Sequence, residues 1–310
     1  MLKDPSDAKR LHLNPQIDRG ILDNVFSQIA DIMLQLYRFN FDHIGAISQS
    51  STTGIWSVIG RPLTYSMNEL ATRASYPLHK FPTARFQSAS EYFRSLIAQQ
   101  KTHLWTQRNL CGSSVDAHNR YVSRYLFAQH VDRHCIDDRS LFKLFCDDFR
   151  PQNIIVDPTT LRIKAVLNLE FTNAMPSQFA SEPPWWLLLV GPDSYLLRGR
   201  TIEEFVEAYE PRLEQFFLEA MECAEKTQGA SNCHKSLACL MRESWATKRF
   251  WFNYAVRKPF DVDEIFNSCL KEGSASVELL DNQSRADLKP FIETKMKQLE
   301  AYDKDCTIYL

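Results

Sequence analysis

The sequence predicts a mostly helical α+β fold, and three observations carry that reading. Apolar residues recur at helical spacing from residue 17 to Leu36 and again over 88–107, 201–226 and 237–256. Short β-leaning runs flank turn residues at 43–60 and at 154–171. Aromatic residues are plentiful, with 20 Phe, 11 Tyr and 6 Trp, which suits bulky helix packing better than a polar repeat. With 310 residues the chain is long enough to bury a substantial core.

Taken in order, residues 1–16 are polar, contain Pro5 and Pro15, and read as a lead-in without a core of its own. Ile21, Val25, Ile29, Ile32, Met33 and Leu36 then form one apolar face of a helix. Ile44 to Ser48 and Gly54 to Ile59 read as a hairpin. Its Ser/Thr-rich turn lacks the Lys and repeated glycines of a phosphate loop. Residues 61–87, with Pro62, Pro77 and Pro82, read as irregular and mostly surface. Ser88, with Glu91 three residues on, is a helix cap, and Phe93, Leu96, Ile97 and Leu104 face inward through about Gln107. His103 among them is expected to be partly buried and hydrogen-bonded.

A loop at 109–118 and a helix at about 119–134 follow. Residues 172–184 read as a polar, proline-bearing loop, and Trp185 to Val190 as an apolar packing segment. Phe205, Tyr209, Leu213, Phe216 and Phe217 line the next helix, and Trp245, Phe250, Trp251, Phe252 and Tyr254 the one after. Asp261, Asp263 and Glu264 restart a helix and complement its dipole. From 271 to 310 a polar tail holds an exposed helix over Ala286 to Tyr302. The expected division is a lead-in at 1–16, a helical domain at 17–270 and a tail at 271–310.

The net charge of −2 and a pI near 6.5 supply no electrostatic footprint for nucleic acid. Eight cysteines at 111, 135, 146, 223, 233, 239, 269 and 306 match no disulfide framework, so reduced and mostly buried thiols are expected. Cys233, His234 and Cys239 are an incomplete ligand set. His130, His134, Cys135, Asp137 and Asp138 have zinc-binding residue types but no Glu of a His-Glu-x-x-His motif, and a solvated helix end accounts for them. There is no signal-peptide core and no membrane-length apolar run, so no membrane association and a cytoplasmic location are expected.

The chemistry concentrates in Leu144-Phe145-Cys146-Asp147-Asp148-Phe149-Arg150-Pro151-Gln152-Asn153-Ile154-Ile155-Val156-Asp157. An acidic pair leads to Asn153, which opens a β-branched run, and a second run from Leu161 to Phe171 carries Asn168 and Glu170. Phosphoryl transfer uses such a layout: a carboxylate for the acceptor hydroxyl proton and oxygen ligands for Mg²⁺ on the nucleotide phosphates.

The pattern resembles the catalytic loop of the aminoglycoside phosphotransferase and choline kinase family, His-x-Asp-Leu-x-x-x-Asn-Ile-Leu-Val-Asp. Asp148 falls on the catalytic aspartate and Asn153 on the metal-ligating asparagine. Ala165 to Phe171 resembles the family's Val-Ile-Asp-Trp-Glu-Phe segment, which places Asn168 at the second metal ligand. Pro183-Pro184-Trp185-Trp186-Leu187 resembles a stretch common in fungal-type members. The resemblance runs from about residue 14 to about residue 270. It implies the C-terminal lobe of a protein-kinase-like fold, with Mg²⁺ and ATP as cofactors and a small-molecule alcohol as acceptor. Cys146 stands where most relatives have His, and Asn168 where they have Asp. None of the nine glycines forms a Gly-x-Gly-x-x-Gly or Walker pattern, and only about fourteen residues precede the resemblance. By that comparison the N-terminal, nucleotide-covering lobe is missing. Two readings follow. One is an ATP-dependent phosphotransferase with Asp148 as base, Asn153 and Asn168 as metal ligands and Glu170 assisting. The other is an inactive pseudo-phosphotransferase, or a truncated gene model, that binds a metabolite or protein partner. An Asp148–Arg150 structural pair and a loop-capping Asn153 are the non-catalytic accounts of the same residues.

Overall fold

The computed structural model describes residues 2–5, 12–139, 141–197, 199–229, 235–273 and 276–308. The chain is α+β and mostly helical, as its periodicity predicts. Cys233 and His234 lie outside the described residues.

Helix α1, Arg19–Tyr37, begins where the Asp18 carboxylate accepts from the Ile21 N–H at 3.1 Å. Its buried face is Leu22, Val25, Phe26, Ile29, Ala30 and Leu34. The predicted stripe is rotated slightly, because Phe26 and Leu34 pack inward while Ile32, Met33 and Leu36 stay half-buried. The lead-in packs onto the main core. Lys3 bridges Leu13, and buried Leu13 donates to the Leu188 carbonyl at 3.0 Å, which ties the segment to the core.

Among the described residues seven strands follow: β1 Asn40–Phe41, β2 Gly45–Gln49, β3 Trp56–Gly60, β4 Phe142–Cys146, β5 Ile154–Val156, β6 Ile163–Val166 and β7 Thr172–Met175. Five make one antiparallel sheet in the order β1-β4-β7-β2-β3, and β5 and β6 form a separate hairpin. The hairpin predicted at 43–60 is therefore one wing of a larger sheet. Gly45, at φ 155°, allows the close approach of β2 to β3, since a Cβ there would run into the Gly60 carbonyl oxygen. Residues 172–175, expected in a loop, form the middle strand. Their sequence has no β-branched run, so only pairing on both sides makes them a strand. Asn173 adds a further tie, accepting from the Leu63 N–H at 3.0 Å and donating to the Leu63 carbonyl at 2.8 Å.

The region 61–87 is more ordered than its prolines suggest. Helix α2, Tyr65–Arg73, is capped by Thr64, and Met67, Leu70, Ala74, Tyr76 and Phe81 bury each other in a small satellite core. Helix α3, Ala89–Thr106, starts at Ser88 as predicted. Helix α4, Ser114–Phe127, starts earlier than expected because Ser113 caps it. Helix α5, Val131–His134, follows a short 3₁₀ turn.

Beyond the sheet come α6 Ser177–Ala180, α7 Pro192–Leu196, α8 Ile202–Arg212, α9 Leu218–Thr227, α10 Leu237–Ala246, α11 Arg249–Arg257, α12 Val262–Ile265 and α13 Asn282–Ile308. Phe205, Tyr209, Leu213 and Phe217 are buried as expected; the Phe216 side chain is outside the described set. The expected helix at 237–256 breaks at Lys248, whose left-handed φ of 60° separates α10 from α11. Every residue of α11 is buried.

Two acidic and polar segments are used differently from the sequence expectation. Asp263 does more than complement a helix dipole: it receives fully buried Arg124 at 2.8 and 2.9 Å and Arg120 at 2.9 Å. The 271–310 segment is not merely a polar tail. In α13, Phe291 is fully buried against Trp105 and Tyr121, and buried Lys295 donates to the Gln107 carbonyl at 2.6 Å. One hydrophobic cluster runs from Leu13 to Phe291 and includes residues of both the lead-in and the tail. No described helix is long and apolar enough to cross a membrane.

Candidate functional site

β4 delivers the chain into the loop that follows Cys146. Buried Phe149 packs edge-on against Trp186 at 5.7 Å and anchors the turn from beneath. Pro151 opens a 3₁₀ turn over Pro151–Asn153, which carries Asn153 inward to 4% exposure. Its amide nitrogen donates to the Asp148 carbonyl at 2.8 Å and to Asp148 Oδ2 at 2.7 Å. Arg150 Nε lies 2.8 Å from Asp148 Oδ1, an ion pair without hydrogen-bond alignment. Both non-catalytic accounts of these residues, the Asp148–Arg150 pair and the loop-capping Asn153, are thus realised in the geometry.

The β5–β6 hairpin brings Asn168 to the same place. Leu167 N–H donates to the Asn153 carbonyl at 2.8 Å, and Asn168 Nδ2 donates to Asn153 Oδ1 at 2.8 Å. Asn168 sits at φ 56°, a left-handed conformation that Asn tolerates better than most residues. The result is one polar line, Arg150–Asp148–Asn153–Asn168. It runs from a buried carboxylate to an exposed amide between exposed Leu167 and Leu169. Glu170 is exposed, and among the described residues no hydrogen bond joins it to this line.

Asp147 faces the other way. Its Oδ1 receives Arg257 Nη1 at 3.1 Å, and the same guanidinium pairs with Glu182 and lies over Phe145 and Phe179 at 5.0 and 4.8 Å. Burial pushes the Glu182 carboxyl up to about 7, against the pull of Arg257. This buried assembly orients the loop from behind. Lys258, next in sequence, sits over Tyr65, Trp185 and Tyr254 at 5.5, 5.3 and 5.9 Å, and Arg150 lies 5.6 Å from the same Tyr65 ring. Tyr254 donates to Asp193 at 3.1 Å. Burial, with Asp193 nearby, pushes the Asp261 carboxyl up to about 6. Arg257, Lys258, Glu182, Tyr65, Asp193 and Asp261 were not legible as site residues. They lie 34–113 positions from Asp148 and carry no motif; only Glu182, directly before Pro183-Pro184-Trp185-Trp186, had a flag beside it.

An apolar cavity of 50 Å³ lies behind the loop, between the end of α1 and the 183–186 turn. Trp186 is buried in packing, as expected for that pair.

The histidine cluster resolves into packing. His130 and His134 stack with planes 6° apart, and His134 stacks again on Phe252 at 5.2 Å. Burial lowers the His134 ring to about 4 and keeps it neutral, so it is a core group and not a solvated helix end. Asp138 is taken up by the start of α3, accepting from the Ser90 N–H at 2.7 Å. Among the described residues no group of three or more His, Cys, Asp or Glu side chains is placed to hold a metal, and all seven described cysteines are free.

For Mg²⁺ the relevant donors are one carboxylate and two amides. The Asn153 and Asn168 amides lie against each other, so an ion taken up there would replace the hydrogen bond between them. Such a donor set fits a weakly held divalent cation that keeps most of its water.

Compared with protein-family models, curated proteins and solved structures, the chain finds no match in any of the three.

Proposed function

We propose that the 147–153 loop and Asn168 form a phosphoryl-transfer-type site acting on a small-molecule hydroxyl. The observation that carries this reading is the convergence of Asp148, Asn153 and Asn168 in one hydrogen-bonded line. The sequence resemblance assigns those same three positions to the base and the metal ligands. Asp148 is held by Asn153 on one oxygen and flanked by Arg150 at the other, so its orientation is set before any acceptor arrives. It accepts the acceptor's hydroxyl proton. Asn153 and Asn168 would hold Mg²⁺, which supplies charge neutralisation on the phosphates of ATP. The apolar lip of Leu167 and Leu169 borders this end of the line.

A second reading has its own observation. The Asn153–Asn168 hydrogen bond closes the set without an ion, and Arg150, Arg257 and Lys258 are already engaged by carboxylates or aromatic rings. That favours a binding module without turnover.

Calorimetric titration with ATP, with and without Mg²⁺, separates the two on the wild-type chain, Asp148→Ala and Asn168→Asp. The transferase reading expects metal-dependent heat that strengthens in Asn168→Asp, and acceptor phosphorylation that Asp148→Ala reduces by about 10²–10⁴. Absence of metal-dependent nucleotide binding in all three rejects it and leaves the binding module.

A further inference from the structure

We propose that the N-terminal end of α11 is a binding site for a phosphorylated small molecule, its phosphate held by Arg249, Lys248 and Arg133. The site involves none of the residues discussed above as catalytic, and it stands or falls independently of them.

Arg249 is the first observation. Its residue is only 5% exposed, yet neither Nε nor Nη2 has a hydrogen-bond partner. The acids that act on it electrostatically, Glu243 and Asp137, form no hydrogen bond to it, and Glu243 Oε2 is occupied by Lys235 at 2.8 Å. Burying a charge without a partner is costly, so an anion that pairs with Arg249 would be favoured. Among the described residues the other buried arginines, Arg124 and Arg257, both have carboxylate partners. Arg249 is the exception.

The second observation is the helix itself. α11 is nine residues long, its N-cap Lys248 makes no side-chain capping bond, and its first turn contains no acidic residue. Trp251 and Phe252 N–H already donate to the Lys248 carbonyl at 3.1 and 3.2 Å, which leaves the first two N–H groups, of Arg249 and Phe250, at the positive end of the dipole. Here the flanking residues add positive charge to a terminus that ordinarily attracts acids.

The third is the space in front of it. A cavity of 470 Å³ is lined by Arg133, His134, Thr247, Lys248, Arg249 and Glu272. That volume falls in the ~300–1,000 Å³ range of small-molecule sites. It accommodates a phosphate with an organic body attached. Three cations face one carboxylate, and that carboxylate, Glu272, is exposed and occupied with Arg133 at 2.6 Å. Glu243 is offset by Lys235 and Asp137 also acts on Arg249, so the site keeps a net positive charge that suits a phosphate. His134, stacked on Phe252, forms an uncharged wall.

The test is thermal unfolding and calorimetry of the full chain with inorganic phosphate and with glycerol 3-phosphate, against chloride at equal ionic strength. The wild type is expected to gain melting temperature saturably, with glycerol 3-phosphate acting at lower concentration than phosphate. Arg249→Met is expected to melt higher than wild type in phosphate-free buffer and to lose the response to both anions. Lys248→Asn, which keeps the left-handed backbone and removes the charge, is expected to weaken the response several-fold. No saturable response in the wild type would overturn the proposal. So would an unchanged response in Arg249→Met or, should that variant fail to fold, in Lys248→Asn. Flotation with phosphatidate vesicles, combined with no response to soluble phosphates, would overturn the small-molecule assignment in favour of a lipid headgroup.

Discussion

Replacing Asn168 by Asp probes the polar line at its most informative joint. In the structure Asn168 Nδ2 donates to Asn153 Oδ1 at 2.8 Å, while the Asn153 amide nitrogen is committed twice to Asp148. Asn153 therefore cannot turn to offer a donor. In Asn168→Asp a carboxylate oxygen would face a carbonyl oxygen at hydrogen-bond distance. One hydrogen bond is lost, worth about 1 kcal/mol, and acceptor–acceptor repulsion adds a similar amount, limited because Asn168 is exposed and can rotate outward. The left-handed backbone at 168 tolerates Asp, so it contributes little. A loss of roughly 1–2 kcal/mol corresponds to a melting-temperature drop of about 2–3 °C in a chain of this size. A divalent cation reverses the sign of the contact, since it binds two oxygens where a proton donor binds one. Differential scanning fluorimetry in chelator, then in millimolar Mg²⁺, is the assay. The expected result is destabilisation in chelator and recovery by Mg²⁺ in Asn168→Asp, with a smaller Mg²⁺ effect on the wild type. An unchanged melting temperature in chelator, or equal Mg²⁺ responses in both proteins, would refute the assigned geometry.

Three further outcomes are expected. Asp263→Asn removes the carboxylate shared by Arg124 and Arg120 and should cost about 3–5 kcal/mol in urea unfolding, because Arg124 is fully buried; a loss below about 1 kcal/mol would contradict the pairing. Asp261 binds its proton more tightly folded, at about 6, than at its ordinary 3.8, so its contribution is full below pH 4 and disappears as pH rises through 6. Asp261→Asn should therefore flatten that limb and raise stability at pH 7 by up to roughly 3 kcal/mol, read from denaturation midpoints across pH 4–8. Phe291→Ala should cost about 3–5 kcal/mol if α13 belongs to the core, and almost nothing if it were a dispensable tail, which chemical denaturation decides.

The sequence alone determined what depends on near neighbours. Ser88 with Glu91, the apolar period of α8 and α9, the turn between β2 and β3, and the run from Asp148 through Asn153 to Asn168 were all legible. Each is a local pattern closed within about twenty residues, by a cap, a helical repeat or a hairpin. The three candidate site residues were legible for that reason: one loop and the hairpin after it bring them together. Tertiary structure decided the rest. Thr172–Met175 is a strand only because β2 and β4 pair with it from both sides. Asp263 looked like a dipole-compensating acid until α4 set Arg124 against it, 139 positions away in sequence. Arg257 holds the 147–153 loop through Asp147 across 110 positions, and Phe291 became core only when α13 folded back on α3 and α4. A charged or aromatic side chain has the same local signature whether it meets water or a partner. Its role is set by which distant element removes the water, and that information lies in the packing.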